Sequence, residues 1–312
     1  MSRIAVLIPC FNEAIAIGHV VSDFLQALPG ATIFVYDNNS SDDTIAVARA
    51  AGAVVRSQPL QGKGHVIRRM FADVDADIYV MVDGDATYDA TAAPNMIARL
   101  QHDALDMVVG TRIDHERDAY RAGHRLGNRL LTGLTGKIFG QTFSDMLSGY
   151  RVMSRRFVKS FPAHASGFEV ETELAVHALE LHMPVAELPT HYGSRMQDSH
   201  SKLNTWRDGW RILLTIVRLT KNGKPLLFFS FLTALCLLSA GVLAWPLLTT
   251  YLATGLVPRF PTAILCSALG LLGSVFLVCG LVLDTVTLGR REARHFAYLQ
   301  HRAHWMLDHE HE

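Results

Sequence analysis

The chain has 312 residues, enough for one large domain or two smaller ones, and 49% of them are hydrophobic. Mean hydropathy is +0.19, which is high for a water-soluble protein. The formal net charge is zero, so no global basic field favours nucleic acid as a partner. The four cysteines lack metal-ligand spacing, and we interpret all of them as free, buried thiols in a reducing compartment.

Short β-branched runs alternate with amphipathic helical stretches at the start of the chain. This pattern predicts strands at Ile4–Ile8, Thr32–Tyr36, Ala53–Arg56, Ile78–Val82 and Met107–Val109. It predicts helices at Ala14–Leu28, Asp43–Ala51, Gly64–Phe71 and Ala92–Leu100. Such alternation indicates an α/β fold with a mostly parallel sheet that is covered by helices on both faces.

Polar clusters follow four of these strands. They are Pro9–Glu13, Asp37–Ser41, Asp83–Asp85 and Gly110–Arg112. The carboxyl ends of parallel strands meet at one edge of a sheet, and ligands bind outside that edge. The sequence therefore predicts a binding site there.

The middle of the chain has weaker periodicity. From about Gly123 to His182 the pattern predicts helix in several pieces, broken at Asp145–Gly149 and at Pro162–Gly167. A short strand at Val185–Leu188 then lies between two prolines.

The segment 204–222 has an amphipathic pattern. Trp206 and Trp210 share one helical face, whereas Arg207 and Arg211 share another. Indoles opposite arginines are typical of a helix that lies in a membrane interface. The alternative is an ordinary surface helix packed on the preceding domain.

Two long uncharged stretches follow, Pro225–Pro258 and Phe260–Leu283. Each exceeds the roughly 20 residues that cross a bilayer core, which predicts transmembrane helices at about 226–250 and 261–284; the alternative is a buried hairpin of a soluble protein. Basic residues flank the pair on both sides, whereas the loop between the helices holds only Arg259. By the positive-inside rule both ends are cytosolic, as expected for a multi-pass membrane protein whose N-terminal domain lies in the cytosol.

These features predict four regions. Residues 1–203 would form the α/β domain, 204–222 an interface helix, 225–289 the two membrane helices and 290–312 a cytosolic tail. The tail contains five histidines after Arg294. Clustered histidines are able to bind metal, but a solvated, partly helical tail is the interpretation that we favour.

The clearest chemical signal is Asp83-Gly84-Asp85, directly after an apolar strand. Two carboxylates one residue apart are suited to hold a divalent cation while phosphates and water fill its other positions. Such an ion would neutralise a diphosphate leaving group. The alternative is a solvated turn.

Three further motifs accompany this signal at the predicted edge. Polar side chains in Pro9–Glu13 and Asp37–Thr44 are suited to read a nucleobase and a ribose, although the second segment is also a helix-capping turn. Gly62-Lys63-Gly64 opens a helix and offers backbone amides and a cation to phosphates.

Together, PxxNE, DNNSSDDT, GKG, DGD and GTR resemble the family 2 glycosyltransferases, which have the GT-A fold. The segment Asp145–Arg151 (DMLSGYR), together with Ser201-Lys202-Leu203 after Arg195, is similar to the polyprenyl-phosphate glycosyltransferases. That group contains dolichyl-phosphate mannose synthases and bacterial undecaprenyl-phosphate sugar transferases. The resemblance covers about residues 3–203.

The resemblance implies roles for individual residues. Nucleotide binding falls to Pro9, Asn12, Glu13, Asp37, Lys63, Asp83 and Gly84. Mg²⁺ or Mn²⁺ would bind to Asp83 and Asp85. The acceptor phosphate would contact Arg112, Ser201, Lys202 and a basic residue among Arg121, His124 and Arg125. The catalytic set is Asp85, Arg112, Asp145 and Arg195, with Arg195 closing over the phosphates.

The implied reaction is an inverting transfer from a nucleotide sugar to a polyprenyl phosphate in cell-envelope glycan synthesis. A lipid monophosphate is largely ionised near neutral pH, so it needs orientation more than a general base. Asp145 would then orient a basic group or the sugar rather than abstract a proton. The resemblance favours UDP-hexose or UDP-N-acetylhexosamine as the donor and undecaprenyl phosphate as the acceptor. It also favours assembly as a homo-oligomer. Many relatives carry Gln at the position of Thr87, so the resemblance does not identify which sugar this chain uses.

Two other functions stay open at this stage. A transferase acting on a sugar hydroxyl would need a general base, for which Glu169, Glu171 and Glu173 are candidates, but no QxxRW motif occurs. A non-catalytic membrane scaffold is the other, although Asp83 and Asp85 are both intact.

Overall fold

The computed structural model describes residues 2–113, 133, 143–167, 169–193, 217, 221 and 223–303. The chain divides into two compact units. Residues 1–212 and 293–312 form one, which we call the sheet unit, and residues 213–292 form the other, the hairpin unit. In sequence, the hairpin unit is thus an insertion near the end of the sheet unit.

The sheet unit is built on seven strands. They are β1 (Ile4–Cys10), β2 (Thr32–Asp37), β3 (Val54–Ser57), β4 (Ile78–Met81), β5 (Met107–Ile113), β6 (Arg151–Ser154) and β7 (Val185–His191). Their order across the sheet is β3-β2-β1-β4-β6-β5-β7. The pairs that β6 makes with β4 and β5 are antiparallel, whereas the other strand pairs are parallel. The predicted mostly parallel sheet is confirmed.

Helices of the sheet unit connect and cover these strands. They are α1 (Ile17–Ala27), α2 (Thr44–Ala50), α3 (Lys63–Asp73), α4 (Ala93–His102), α5 (Arg155–Ser160) and α6 (Val170–Glu180). Helix α1 shows why they pack: Ile17, Val21 and Phe24 recur at helical spacing and are buried against the β-branched strands. Each such side chain contributes about 1.5–3 kcal/mol when fully buried.

The predicted broken helix from Gly123 to His182 is confirmed in part by helices α5 and α6, and strand β6 corrects it at residues 151–154. Its sequence Arg-Val-Met-Ser has no strong β-branched run. It forms because β4 and β5 both pair with it along its length. Strand β5 is also longer than predicted, since its parallel pairing with β7 continues through Gly110–Ile113. Arg112 therefore lies on a strand rather than beyond one.

Strand β7 contains Pro189, which the sequence pattern places at the end of the predicted strand. Proline has no N–H to donate, so it is tolerated in edge strands. Because β7 is the outermost strand, it continues through Pro189 to His191.

The hairpin unit contains helix α7 (Pro225–Thr254) and most of helix α8 (Phe260–Leu299). Both are long and apolar enough to cross a membrane, with a mean hydropathy of 2.4 in their most apolar windows. Most of their large apolar side chains are exposed, which does not fit the alternative of a buried hairpin in a soluble protein. Helix α8 continues past residue 284, where the predicted span ends.

Small residues bring the two helices of the hairpin close together. A Cβ added at Gly280 would lie 3.0 Å from Cβ of Phe229, and one at Gly273 would lie 3.4 Å from Cβ of Cys236. The hydroxyl of Thr233 donates a hydrogen bond to the carbonyl oxygen of Gly273 at 3.0 Å. Close approach through small residues is typical of helices that associate in lipid.

The segment after the hairpin returns to the sheet unit. The phenol of Tyr298 donates to Oδ2 of Asp106 at 2.8 Å, and the guanidinium of Arg156 lies 4.7 Å from the Tyr298 ring centroid. Arg294 is ion-paired with Glu180. Part of the tail that the sequence predicts to be solvated thus packs on the sheet unit; residues 304–312 lie outside the described residues. All four cysteines are free, but only Cys10 is fully buried.

Candidate active site at the carboxyl ends of the strands

The turn Asp83-Gly84-Asp85 follows β4 and lies against the end of β1. A Cβ added at Gly84 would lie 2.6 Å from Sγ of Cys10, so the close approach requires glycine. Asp85 is only 5% exposed, and its Oδ1 accepts a hydrogen bond from Oγ1 of Thr87 at 2.6 Å. The alternative of a solvated turn does not fit Asp85, because its carboxylate is buried and is oriented by the hydrogen bond from Thr87.

Lys63 connects this turn to helix α6. Its ammonium lies 2.5 Å from Oδ1 of Asp83 and also pairs with Oε1 of Glu171. Although burial opposes its charge, the two carboxylates raise the pKa of Lys63 above its ordinary value. Lys63 thus stays charged beside the first aspartate of the turn.

The glycines on either side of Lys63 serve packing. A Cβ added at Gly62 would lie 2.1 Å from the carbonyl oxygen of Ser166, and one at Gly64 would lie 2.2 Å from that of Ala165. Gly62 also has a φ of +131°, which side chains rarely adopt. The sequence interpretation that this motif offers its backbone to phosphates misses this close contact with the segment before α6.

Asn38 is a buried residue that the sequence analysis assigns no role of its own. Its amide nitrogen donates to the carbonyl oxygens of Gln58 and Leu60 at 3.0 and 2.8 Å. Its Oδ1 accepts from the backbone N–H of Gly62 at 2.6 Å. These three bonds fix the loop between β3 and α3, and so position Lys63.

The loops after β1 and β2 are joined by side-chain hydrogen bonds. Oδ1 of Asn12 accepts from the backbone N–H of Ser41 at 2.8 Å, and Oγ of Ser40 accepts from that of Asn12 at 2.8 Å. Oγ1 of Thr44 accepts from the N–H of Glu13 at 2.9 Å. Asp37 is buried, and both of its carboxylate oxygens accept from the Ser40 N–H.

These contacts bring together the predicted nucleoside residues at one edge, with Pro9 at the end of β1. The turn that the sequence also predicts before α2 is present: Oδ1 of Asp42 accepts from the N–H of Thr44, although the N-cap residue Asp43 makes no side-chain capping bond. Bracing of the two loops and binding of a nucleoside are compatible. Nucleoside binding by these residues stays a prediction.

Arg112 and Asp145 form a two-pronged ion pair. Nε of Arg112 lies 2.7 Å from Oδ2 of Asp145, and its Nη2 lies 2.7 Å from Oδ1. The Arg112 guanidinium also lies 5.5 Å from the Tyr192 ring centroid. This geometry agrees with Asp145 orienting a basic group, one of the two roles that the sequence analysis leaves open for it.

Arg151 holds the segment that carries Asp145, and the sequence analysis gives it no separate role. It is fully buried, and burial lowers its pKa to about 10. Its guanidinium donates to the carbonyl oxygens of Ser148, Met146 and Glu171. The Asp145–Arg151 motif is thereby tied to the first turn of α6.

Gly149 lies in the same motif and touches the turn after β4. A Cβ added there would lie 2.5 Å from Oδ2 of Asp83. The Gly149 N–H donates to the phenol oxygen of Tyr88 at 2.9 Å. Because β6 is antiparallel, its start lies at the edge where the parallel strands end, which brings this motif to Asp83.

Six predicted site residues lie outside the described part of the chain. They are Arg121, His124, Arg125, Arg195, Ser201 and Lys202. Among the described residues, no three His, Cys, Asp or Glu side chains converge to hold a metal ion. The pair Asp83 and Asp85 fits Mg²⁺ or Mn²⁺, ions that are commonly held by one or two carboxylates together with substrate phosphates.

Comparison with known proteins identifies the fold and the family. The model of the family described as "Glycosyl transferase family 2" matches residues 5–161. The chain belongs to glycosyl transferase family 2. It is a glycosyltransferase with the GT-A fold, as the sequence motifs predict.

Two relatives of this family 2 transferase and one solved structure extend the comparison. "Glycosyltransferase AglJ" of Haloferax volcanii is 36% identical over 72% of this chain and 75% of its own length. A "Dolichyl-phosphate hexose transferase" of the same organism is 28% identical over 69% and 92%. Glucosyl-3-phosphoglycerate synthase from Mycobacterium tuberculosis, in complex with Mn²⁺, UDP-glucose and glycerol 3-phosphate, superposes with a TM-score of 0.56 and 25% identity. The match covers 70% of this chain and 79% of that one.

Proposed function

We propose that this family 2 transferase moves a sugar from a nucleotide sugar to a polyprenyl phosphate, with a divalent cation and inversion at the anomeric carbon. The observation that carries the proposal is a combination within one chain. A cluster of Asp83, Asp85 and Lys63, in which Asp85 is buried and Asp83 is partly exposed, suits a metal-bound diphosphate, and two apolar helices are long enough to cross a membrane.

The donor side of the site would hold a nucleoside diphosphate through Asp83 and Asp85. The bound Mg²⁺ or Mn²⁺ would supply Lewis-acid stabilisation of the leaving diphosphate. Lys63 adds a positive charge at the same edge, where it would screen the phosphates. The similar synthase binds Mn²⁺ and UDP-glucose in its crystal structure, which supports this assignment. We favour UDP-hexose or UDP-N-acetylhexosamine as the donor.

The acceptor side would bind a phosphate rather than a hydroxyl. The ion pair of Arg112 with Asp145 presents a guanidinium whose orientation is fixed. Two of the three candidate bases for a hydroxyl acceptor have other roles: Glu171 pairs with Lys63, and Glu173 accepts the backbone N–H of His164 and Ala165. An ionised phosphate needs no base. The name of the dolichyl-phosphate hexose transferase supports a lipid phosphate.

The two helices α7 and α8 would anchor the enzyme in a cytoplasmic membrane, with the sheet unit in the cytosol. This follows from the basic residues that flank the pair on both sides. The amphipathic segment 204–222 would lie at headgroup level, where the phosphate of undecaprenyl phosphate also lies. Assembly through the membrane helices would make the enzyme a homo-oligomer.

The test uses the purified full chain in detergent with Mn²⁺ and a panel of UDP- and GDP-sugars. We expect one sugar to be transferred to undecaprenyl phosphate, with a lipid-linked product identified by its mass. Undecaprenol, which lacks the phosphate, is the matched control and is expected to yield no product. Absence of metal-dependent product from every donor, or equal transfer to undecaprenol, would overturn the proposal.

A further inference from the structure

One ammonium group lies between two carboxylates at the centre of the site. Nζ of Lys63 is 2.5 Å from Oδ1 of Asp83 and is paired with Oε1 of Glu171 as well. The Lys63 and Glu171 side chains are only 10% and 6% exposed, whereas that of Asp83 is 30% exposed. Asp83 is therefore the member of the cluster that faces a ligand.

This arrangement creates a competition at Asp83. The proposed function requires the Asp83 carboxylate to bind a divalent cation, and Lys63 already holds one of its oxygens. A buried ammonium that loses its only acceptor is strongly destabilised. The cation would thus bind weakly if Lys63 had no other acceptor.

Glu171 provides the second acceptor and has capacity left. Its Oε2 is buried and has no hydrogen-bond partner among the residues that the structure describes. Its position is fixed from both sides. Arg151 donates to the Glu171 carbonyl oxygen at 2.9 Å, and the segment before α6 packs on the glycines that flank Lys63.

We propose that Glu171 is a positioning residue that retains Lys63 when Asp83 binds the metal–diphosphate. The Lys63 ammonium then shifts its contacts from Asp83 towards the two oxygens of Glu171 without becoming unpaired. The cation gains Asp83, and Lys63 stays at the diphosphate. This inference rests on the proposed function, because it assumes that Asp83 is a metal ligand.

The test is a double-mutant cycle read out by Mn²⁺ binding to the full chain in detergent, measured by electron paramagnetic resonance of free Mn²⁺. Glu171→Gln keeps the shape of the side chain but removes the charge that retains Lys63. We expect the variant to bind Mn²⁺ about tenfold more weakly, within the range usual for coupled sites. Lys63→Gln removes the competing cation and is expected to tighten binding.

The double variant separates retention of Lys63 from simple attraction of Mn²⁺ by a negative charge. If Glu171 acts through Lys63, then adding Glu171→Gln to Lys63→Gln changes Mn²⁺ affinity by less than about twofold. Glu169→Gln removes the same charge from an exposed position two residues earlier and is the matched control. It is expected to bind Mn²⁺ like the wild type.

Several results would overturn the inference. They are wild-type affinity in Glu171→Gln, an equal loss with and without Lys63, or no tightening in Lys63→Gln. If Glu171→Gln does not fold, Glu171→Asp, which keeps the charge, and Lys63→Gln still test it: the first is expected to retain most of the affinity and the second to exceed the wild type. A wild-type chain that does not bind Mn²⁺ would instead refute the proposed metal site.

Discussion

Two largely buried charge clusters lie at opposite ends of the strands of the same sheet, one where the parallel strands begin and one where they end. They differ in how completely their carboxylate oxygens are hydrogen-bonded. At the edge where β5 begins, Oδ1 of Asp106 accepts from Ser154 at 2.7 Å and from Nε of Arg156 at 2.5 Å. Its Oδ2 accepts from Nη2 of Arg156 at 3.0 Å and from Tyr298 at 2.8 Å. We call this the Asp106 cluster.

The Lys63 cluster, formed by Lys63, Asp83 and Glu171 at the other edge, is incomplete by comparison. Oε2 of Glu171 has no hydrogen-bond partner in the described part of the chain, and Asp83 is partly exposed. Buried polar atoms in native proteins are nearly always hydrogen-bonded, so an exception requires an explanation. We infer that the saturated cluster serves stability, whereas the unsaturated one, at the proposed substrate site, serves a ligand.

The largest effect is expected from Asp106→Asn, which leaves the Arg156 guanidinium without its carboxylate. Breaking a buried pair in this way costs about 3–5 kcal/mol, or a fall in Tm of roughly 6–20 °C for a domain of this size. Thermal unfolding of the full chain in detergent measures it. Activity per folded molecule is expected to stay within about twofold, since the Asp106 cluster is remote from the substrate edge.

Asp103→Asn is the control for this variant. Asp103 lies three residues earlier, and its pair with Arg99 is largely exposed. Exposed pairs contribute about 0–1 kcal/mol, so Tm is expected to change little. Equal destabilisation by the two substitutions would show that the Asp106 cluster contributes no more to stability than an exposed ion pair does.

A second prediction concerns Gly149, which touches the Lys63 cluster. In Gly149→Ala the new methyl group would lie 2.5 Å from Oδ2 of Asp83, so the carboxylate must move. A misplacement of about 1 Å at a reacting centre can cost 10²-fold, and we expect kcat/KM to fall by about that factor. Gly30→Ala, where the Cβ meets nothing within 4 Å, is the control. Full activity in Gly149→Ala would show that the position of Asp83 is not critical.

The third prediction is that the stability of the fold depends on pH through a buried histidine outside the proposed active site. His177 is packed against Phe157 and Phe161, and burial, followed by the charge of Arg294, lowers its pKa from 6.5 to about 3. Between these two values the unfolded chain binds the proton more tightly. Stability is therefore lost as the pH falls below about 6.5.

The size of this effect follows from the shift. At about 1.4 kcal/mol for each pH unit, the wild type is expected to be about 2 kcal/mol less stable at pH 5 than at pH 8 through this residue. His177→Gln is expected to reduce the acid-induced fall in Tm, whereas His102→Gln, at an exposed histidine, is expected to follow the wild type. Parallel pH profiles for all three proteins would contradict the assignment to His177.

Local patterns predicted most of the sheet but missed β6. The strands β1, β2 and β4 were predictable because β-branched runs bury both faces of a parallel sheet. Strand β6 forms only because β4 and β5 pair with it. Its four residues carry too little local signal to distinguish strand from helix.

The same distinction applies to the site. Asp83 and Asp85 were predictable, because they follow a strand directly. The pairing of Lys63 with Glu171 and the contacts of Arg151 were not, because they join segments far apart in the chain. In the sequence, Arg151 was marked only as the last residue of the Asp145–Arg151 motif. Six of the predicted phosphate-binding and catalytic residues lie outside the described residues and stay predictions.

Thr87 stands at the position where the resemblance implies Gln, and it carries the smallest predicted effect. Its Oγ1 donates to Oδ1 of Asp85 at 2.6 Å, so it orients the second aspartate of the turn. Thr87→Val keeps the shape but removes the donor of a hydrogen bond to a charged group, a bond that contributes about 1.5–3 kcal/mol. Because this bond orients Asp85 and does not itself contact the cation, only part of that free energy is expected in the Mn²⁺ affinity. We expect Mn²⁺ affinity to fall by about fivefold to tenfold.

Thr87→Ser, which keeps the hydroxyl, is the matched control and is expected to bind Mn²⁺ nearly as well as the wild type. The comparison separates orientation of Asp85 from packing, because Thr87 is buried in the wild type and Val keeps its β-branched shape while it lacks the hydroxyl. Equal loss in Thr87→Ser and Thr87→Val would assign Thr87 to packing. Loss in Thr87→Val alone would show that the Asp85 carboxylate, unlike that of Asp83, is oriented for the cation before it binds.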